Sequence, residues 1–284
     1  MYQVSSALQP EIQIKYPPYT ENNIEHYFLE YFKRNSAHIT TDRIYLPVMW
    51  THYYIQHGFG QHTMDAAAEL WRTIDKSKKY YTIIQYDDGI LNKPADVDIL
   101  VFAAGGDGHG HVPIPLLADN MPTVPDAEFI PFADRKYLAS FVGSNSHPIR
   151  EHLSHDFKGR TDCIYTFDHV SVPEYFDIMR NSMFSICPRG YGATSYRLYE
   201  AIHCLSIPLY ITDKSWFNPY FCIRNMKALT LDEFYLQEPI PKKDKVKVWV
   251  DDLARQIKGS LELAKSKLTF EQVCHWIIKY LQYG

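Results

Sequence analysis

The chain has 284 residues, of which 46% are hydrophobic and 22% charged, enough for one large globular domain or two smaller ones. Its formal net charge of −4 argues against a nucleic-acid-binding protein that works by bulk electrostatics, because such domains are usually basic. Aromatic residues reach 15%, which suits a protein that stacks sugar rings on aromatic faces, although a tyrosine-rich core explains any single tyrosine more simply.

Cysteine usage and the N-terminus bear on the cellular compartment. The five cysteines are an odd number without a Cys-x-x-Cys pair, which disfavours a disulfide framework or a zinc site and indicates a reducing compartment. The first twenty residues lack the basic start and apolar run of a signal peptide. No apolar run approaches the roughly 20 residues of a membrane span. We therefore expect a cytoplasmic protein without a membrane anchor.

The first part of the chain alternates between helical and strand patterns. The predicted elements are a helix over 21–35, a short buried strand over 43–50, a helix over 60–79, and strands over 80–86 and 97–106. In the first helix, Ile24, Phe28 and Tyr31 recur at helical spacing. Strands that are apolar on both faces and alternate with helices are typical of a parallel sheet covered by helices.

Five prolines between Pro113 and Pro131 interrupt this series and mark the predicted domain boundary. A second series follows, with strands over 136–144, 162–167, 183–188 and 207–212, helices over 147–157, 173–182 and 195–204, and a mostly helical end over 246–282. We predict an α/β chain with domains over 1–130 and 131–284, and a ligand cleft between them.

A glycine loop followed by a helix carries the most specific chemical signal. It begins at Cys187 and reads CPRGYGATSYRLYEAIHCLSIPLYITD. Gly190, Tyr191 and Gly192 precede the helix, and together with the N–H groups of its first turn they form a predicted cradle for a phosphate.

The helix itself adds charged and polar groups to this cradle. Thr194 or Ser195 can cap its start. Arg189 and Arg197 can donate charge-assisted bonds to phosphate oxygens, and Glu200 can accept bonds from the two hydroxyls of a ribose. We expect Arg197 and Glu200 on an exposed face, where these residues would bind a nucleoside diphosphate. The alternative is a surface ion pair beside a simple turn.

The same segment resembles the signature of the exostosin family, glycosyltransferase family 47, whose pattern is CPRGxG followed by S-F/Y-R, L/Y-E-A and I-P-V. The segment KYLASFVGSNSHPIREHL, from Lys136, is similar to the strand–glycine–arginine segment upstream of that signature. The similarity is strong over about residues 136–213 and loose over 40–135.

The resemblance implies a GT-B fold, in which two Rossmann-like domains face a central cleft. The domain over 131–284 would bind the donor nucleotide and the domain over 1–130 the acceptor, with a C-terminal helix from about Phe270 returning to the first domain. Such enzymes are generally inverting, use UDP-sugars and need no metal or other cofactor. The family roles carried over to this chain are the diphosphate for Arg189 and Arg197, the ribose for Glu200 and the phosphates for Arg150.

Two departures from the family pattern affect what is expected. The family usually has Gly at the position of Leu205, so the packing of the helix end differs here. Animal and plant members carry a membrane anchor, whereas this chain looks more like the short soluble forms of large algal viruses. On that resemblance UDP-xylose is the favoured donor, and an oligosaccharide or glycoprotein is the acceptor.

Inverting transfer also requires a general base that takes the proton of the acceptor hydroxyl. The candidates in the first domain are Asp87, Asp88, Asp107 and His52, with Asp87 first because it follows a predicted strand. A plain Asp-Asp-Gly turn is the alternative for that segment. His109 and His111 are interpreted as part of a flexible loop near the acceptor rather than as metal ligands.

Two other functions stay open from the sequence. A metal-dependent transferase would hold Mg²⁺ or Mn²⁺ with Asp96 and Asp98, or with the two aspartates at 87 and 88. A non-catalytic nucleotide- or glycan-binding protein would share the phosphate cradle without any turnover.

Overall fold

The computed structural model describes residues 1–11, 23–105, 109–119, 121–122, 128–213, 229–230 and 243–283. The described residues fall into two compact units. The first comprises residues 1–119 together with 268–283, and the second comprises the intervening residues up to 267. The chain therefore divides near residue 120. The acceptor and donor roles of the two parts stay predictions.

The first unit is built on a four-stranded parallel sheet in the order β1-β2-β3-β4. Its strands are β1 (Ile44–Tyr45), β2 (Tyr80–Ile84), β3 (Ile99–Ala103) and β4 (Val112–Pro113). Its helices are α1 (Ile24–Asn35), α2 (Trp50–Gln56), α3 (Asp65–Thr73) and the last helix of the chain (Phe270–Tyr283). All five residues of β2 are buried, as expected for a strand covered on both faces.

The last helix packs within the first unit. The ring of Phe270 stacks on Tyr27 of α1 at 5.1 Å between ring centroids, and the Tyr27 hydroxyl donates to Glu271 Oε2 at 2.9 Å. On the same helix, Trp276 and Tyr280 place their rings edge-on to Phe102 of β3. These contacts attach the C-terminal segment to the sheet formed by the first part of the chain.

The second unit is a five-stranded parallel sheet in the order β6-β5-β7-β8-β9. Its strands are β5 (Tyr137–Val142), β6 (Cys163–Thr166), β7 (Ser182–Pro188), β8 (Ile207–Thr212) and β9 (Leu229–Thr230). Its helices are α4 (Pro148–Phe157), α5 (Val172–Arg180), α6 (Tyr196–His203) and α7 (Lys243–Lys267), so the last helix of the chain is α8.

The strand order of the second sheet identifies where a ligand binds in such a fold. The chain runs from β5 to β6 on one side and then to β7 on the other side of β5. In open parallel sheets, ligands bind outside the carboxyl ends of the strands at the point where the order reverses. That point lies between the ends of β5 and β7.

The prediction of an α/β chain with two parallel sheets is confirmed. The prediction of one strand over 43–50 is wrong in its extent, because only Ile44–Tyr45 is a strand and Trp50 begins α2. Pro47 has no N–H group to continue the ladder, which accounts for the early end of the strand. Within the residues that the structure describes, no helix has the length and hydropathy of a bilayer-crossing segment.

The end of α6 explains the departure from the family pattern at Leu205. This residue has φ +55°, and the bonds from Leu205 N to Ile202 O and from Ser206 N to Ala201 O form a Schellman motif. Its side chain is buried. Its carbonyl accepts from Arg135 Nη2 at 2.8 Å. Leu205 thus adopts a left-handed conformation at a position where the family usually has glycine. Its side chain is buried there, and its carbonyl is bonded to Arg135.

We predict that Leu205→Gly is more stable than Leu205→Ala by about 1 kcal/mol, because only glycine adopts the left-handed region without steric cost. Both variants lose the buried side chain, so both are less stable than the parent. The measurement is the free energy of unfolding from urea denaturation. Leu198, in the same helix, is the control: there alanine should be the more stable of the two by about 1 kcal/mol. The same order at both positions would contradict the prediction.

Candidate functional site

The candidate site lies at the carboxyl ends of β5 and β7. Gly143 follows β5, and a Cβ atom at this position would overlap the guanidinium group of Arg197. The absence of a side chain therefore lets Arg197 lie against the end of the strand. Its Nη2 donates to the carbonyl of Val142, the last residue of β5.

Aromatic rings flank the Arg197 guanidinium. Its carbon lies 4.3 Å from the centroid of the Phe141 ring and 5.7 Å from that of Tyr175. Such contacts stabilise a buried cation through the negative face of the ring. Arg197 is only 7% exposed. Its charge is thus held at the strand ends, where water screens it poorly.

Arg150 of α4 is the second buried arginine of the site. Its Nε donates to Arg189 O at 3.0 Å, its Nη1 to Ser144 O at 2.9 Å and its Nη2 to Pro188 O at 3.3 Å. Burial, together with the charge of Arg197, lowers the pKa of Arg150 to about 10. It therefore stays charged at neutral pH and binds the backbone on both sides of the strand-order switch.

Arg189 is the third arginine and holds the glycine loop. Its Nη1 lies 3.0 Å from Asp213 Oδ1, and its Nη2 donates to Tyr191 O at 2.7 Å. On the other side of Asp213, His147 Nε2 lies 3.7 Å from Oδ2. Asp213 itself is partly exposed. Arg189 therefore forms an ion pair with Asp213 at the site.

Glu200 is buried, which corrects the prediction of an exposed face for Arg197 and Glu200. Only 1% of Glu200 is accessible, and its Oε2 accepts from the Tyr175 hydroxyl at 2.5 Å. The physical reason is that Tyr175 of α5 covers the polar side of α6, which carries Glu200. All residues of α6 after Tyr196 are buried.

The charges of the site do not cancel. Among these five side chains, Arg150, Arg189 and Arg197 are cationic and Glu200 and Asp213 are carboxylic, a formal excess of one positive charge. The N-terminus of α6 adds the partial positive charge of its macrodipole. The electrostatics of this strand edge therefore favour an anion.

The loop before α6 has the properties of an open cradle. Tyr191 is 67% exposed, and a Cβ atom at Gly190 would lie 3.2 Å from Arg150 Nη2. Ser195 occupies the N-cap position, but its side chain makes no capping bond to α6. The hydroxyl of Thr194 is buried and has no hydrogen-bond partner among the described residues. The predicted side-chain cap is thus absent from the described site, and polar groups remain for a ligand.

In the first unit, two of the candidate bases, Asp87 and Asp88, follow the carboxyl end of β2. Asp87 Oδ1 lies so close to Gly105, after β3, that a Cβ atom there would overlap it. Gly89, at φ +69°, donates from its backbone N–H to Tyr86 O at 3.1 Å. The Asp87–Asp88–Gly89 segment is therefore a turn, and it also brings the Asp87 carboxylate to the ends of two strands. Asp107 lies outside the described residues.

His52 is held in α2 by Asn23. Asn23 Oδ1 accepts from the backbone N–H groups of Glu25 and His26, which makes its Nδ2 the donor in the 3.4 Å contact with His52 Nδ1. This arrangement assigns the proton of the neutral ring to Nε2. Burial lowers the pKa of His52, so the ring is neutral at pH 7. At Nε2 the ring is then a hydrogen-bond donor.

Glu25 is a buried carboxylate that the sequence analysis missed. Its Oε1 accepts from Thr51 Oγ1 at 2.6 Å and from Gln85 N at 2.8 Å, so it joins α1 to α2 and to the end of β2. Burial raises its pKa to about 7, although the bonds from Thr51 and Gln85 act in the opposite direction. The sequence signal for its burial was its position, three residues before Phe28 and four before Leu29, on the buried face of α1.

The alternative metal ligands are engaged elsewhere. Asp96 Oδ2 lies 2.6 Å from Lys76 Nζ, and Asp98 Oδ1 lies 2.7 Å from Arg43 Nη1. His111 Nδ1 accepts from Val101 N at 3.0 Å. In the described part of the chain, no group of three or more His, Cys, Asp or Glu side chains has the arrangement of a metal site.

Comparison with known proteins supports the resemblance noted in the sequence. Residues 102–228 match the family model of the Exostosin GT47 domain. A probable glycosyltransferase of Arabidopsis thaliana is 30% identical over 102 residues, which cover 35% of this chain and 19% of that protein. A second one from the same plant is 34% identical over 79 residues, or 28% of this chain and 16% of that protein. The chain thus spans less than a fifth of these relatives.

One of the solved structures similar to the chain is a crystal structure of alpha1,3-fucosyltransferase. It is 16% identical, covers 53% of this chain and 47% of that chain, and has a TM-score of 0.28. The strand pairings described above, rather than this low similarity, define the fold.

We predict that Glu25 makes the protein less stable as the pH rises from about 4.5 to about 7. The folded-state pKa of about 7 exceeds the ordinary value of 4.5, so the folded protein retains a proton that the unfolded chain releases. The contribution of Glu25 to the free energy of unfolding is complete below pH 4.5 and is lost by about pH 7. At about 1.4 kcal/mol for each pKa unit, it amounts to up to about 3 kcal/mol.

The measurement is the free energy of unfolding of the parent and of Glu25→Gln at pH 5 and pH 7.5. Since glutamine does not titrate, the decline should be smaller in the variant, and subtracting the two curves removes the contributions of His26 and His52, whose lowered pKa values act in the opposite sense. An identical pH dependence for both proteins would show that Glu25 does not retain its proton.

Proposed function

We propose that the chain is an inverting glycosyltransferase that moves a sugar from a UDP-sugar to a hydroxyl of an oligosaccharide or glycoprotein. The observation that carries the proposal is the group of three buried arginines at the strand-order switch, with one positive charge in excess. The match of residues 102–228 to the Exostosin GT47 domain supports the reaction class. Xylose is the favoured sugar because of the resemblance to the short viral forms.

In this proposal the diphosphate binds at the N-terminus of α6. Gly190 and Gly192 let the backbone approach it closely, and the unbonded hydroxyl of Thr194 donates to a phosphate oxygen. Arg197 and Arg150 supply the positive charge without large movement, because backbone carbonyls already hold both. Their charge stabilises the diphosphate most strongly when it departs with its additional negative charge.

The acceptor in this proposal binds at the first unit. Asp87 is the favoured general base because its carboxylate lies at the ends of β2 and β3. Asp88 and Asp107 are the alternatives. His52 fits less well, since the bond to Asn23 leaves the Nε2 proton on its ring. The base removes the acceptor proton on the face opposite the departing diphosphate, and the configuration at the sugar carbon is inverted.

A reducing compartment, the cytoplasm, is part of the same proposal. Each of the described cysteines is a buried thiol outside any disulfide, and these are Cys163, Cys187, Cys204 and Cys274. Proteins of oxidising compartments usually pair such residues.

We predict that Glu200→Gln weakens UDP binding about ten-fold or more, because a hydrogen bond to a charged group is worth about 1.5–3 kcal/mol. Arg197→Ala should weaken it at least as much and should also slow turnover, because its charge matters most as the diphosphate leaves. The measurement is titration calorimetry with UDP, with thermal unfolding as a check on folding. Two residues of α5 are the matched controls: Glu174→Gln, at an exposed position, and Arg180→Ala, at a side chain that pairs with Glu128. Parent-like UDP affinity in both site variants would contradict the donor site.

We also predict that EDTA leaves the transfer activity largely intact, because arginine side chains and the helix dipole stabilise the diphosphate. The assay measures UDP release from UDP-xylose with and without oligosaccharide acceptors. Activity lost in EDTA and restored by Mn²⁺ would support the metal-dependent alternative. UDP binding without any turnover of a panel of UDP-sugars would support a non-catalytic binding protein.

A further inference from the structure

Glu200 cannot take part in ligand binding with its surroundings as they stand. Its carboxylate is 1% exposed, and the Tyr175 hydroxyl lies 2.5 Å from Oε2. Because so little of the carboxylate is accessible, a ligand hydroxyl reaches this oxygen only at the position that the Tyr175 hydroxyl now occupies. Tyr175 and a ligand hydroxyl are therefore alternatives at this oxygen.

Tyr175 is more accessible to solvent than Glu200, to which its hydroxyl bonds. It belongs to the first turns of α5, whose residues Val172, Pro173 and Glu174 are exposed, whereas Glu200 is in the buried helix α6. The Tyr175 residue itself is partly exposed. A ligand that arrives from solvent thus meets Tyr175 before it meets Glu200.

The Tyr175 hydroxyl has the protonation state that this exchange needs. Burial raises the pKa of Tyr175 well above its ordinary value. The charge of Arg197 opposes this shift, and the charge of Glu200 adds to it. The hydroxyl is therefore a donor at neutral pH, as the hydroxyls of a sugar are. Exchange of one for the other leaves the carboxylate with a donor and moves no proton.

We propose that the Tyr175 hydroxyl occupies the position of a ligand hydroxyl on Glu200 in the ligand-free protein, and that a vicinal diol, such as that of a ribose, displaces it. Tyr175 is in this sense a specificity-determining residue, since only a ligand with hydroxyls at that position can replace the bond that is broken. The proposal rests on the proposed donor site and adds the residue that closes it.

Tyr175→Phe tests the proposal, because it removes one oxygen and keeps the ring beside Arg197. Without the competing hydroxyl, UDP no longer has to break the bond to Glu200, and its affinity should rise about ten-fold, the equivalent of a hydrogen bond to a charged group. For 2′,3′-dideoxy-UDP, which has no ribose hydroxyls, the affinity should not change. The control is Tyr137→Phe, which removes the same atom at the opposite end of β5.

Titration calorimetry of the parent and both variants with the two nucleotides separates the outcomes. A rise for UDP alone in Tyr175→Phe supports the proposal. A fall or no change for UDP overturns it, since Tyr175 then contributes to the bound state or has no role in binding. An equal rise for both nucleotides also overturns it, because the effect would not depend on the diol. If the parent binds neither nucleotide, the donor site itself fails, and the proposal fails with it.

Discussion

The candidate site of the second unit depends on the need to provide acceptors for its three buried guanidinium groups. Arginine keeps its charge in almost any protein environment, so burial does not neutralise it, and each unbonded N–H group is costly. The acceptors here are mostly backbone carbonyls at the ends of parallel strands, where the hydrogen bonds of the sheet do not use every carbonyl group. The carbonyl of Val142 accepts from Arg197, and the carbonyl of Pro188 accepts from Arg150. The side chains that carry the charge thereby fix the strand ends that form the site.

This arrangement differs from a surface cluster of basic residues in its electrostatics. Exposed arginines are screened by water and salt, and their attraction to an anion is correspondingly weak. Arg150 and Arg197 are held in a medium of lower dielectric constant. Burial, and after it the repulsion from Arg197, lowers the pKa of Arg150. An anion that binds between them relieves this repulsion. Preorganised charge of this kind favours a departing diphosphate more than a neutral ligand.

Much of the fold could be predicted from the sequence, because it follows from local patterns. Apolar runs such as 80–86 and 183–188 have few alternatives to a buried parallel strand, and Pro148 fixes the start of α4. One failure was local, because Pro47 within the predicted strand ended β1 early. Another occurred where a contact between distant elements decided the outcome. The polar side of α6 was interpreted as exposed, since nothing within the helix indicates that Tyr175, twenty-five positions earlier, covers Glu200.

The candidate site shows the same limit for its charged residues. The arginines were found from the motif, and their partners were not, because the Asp213 and Val142 contacts depend on the strand order. The left-handed conformation at Leu205 was not predicted, because the family's glycine at this position was taken only as a difference in packing. In the first unit, Glu25 was missed. Its role follows from bonds to Thr51 and Gln85, which are distant in sequence.

The two buried glutamates differ in what they bind, and this difference separates a structural carboxylate from one that can serve a ligand. Glu25 accepts from the backbone N–H groups of α2 and of the end of β2, and a ligand could take its place only by leaving those groups unbonded. Glu200 accepts from a side-chain hydroxyl on a neighbouring helix, which can exchange for a ligand hydroxyl and then bond to water. Burial alone therefore does not distinguish them. In the proposed donor site, the exchangeability of the Tyr175 hydroxyl is what separates Glu200 from Glu25, whose donors include backbone N–H groups.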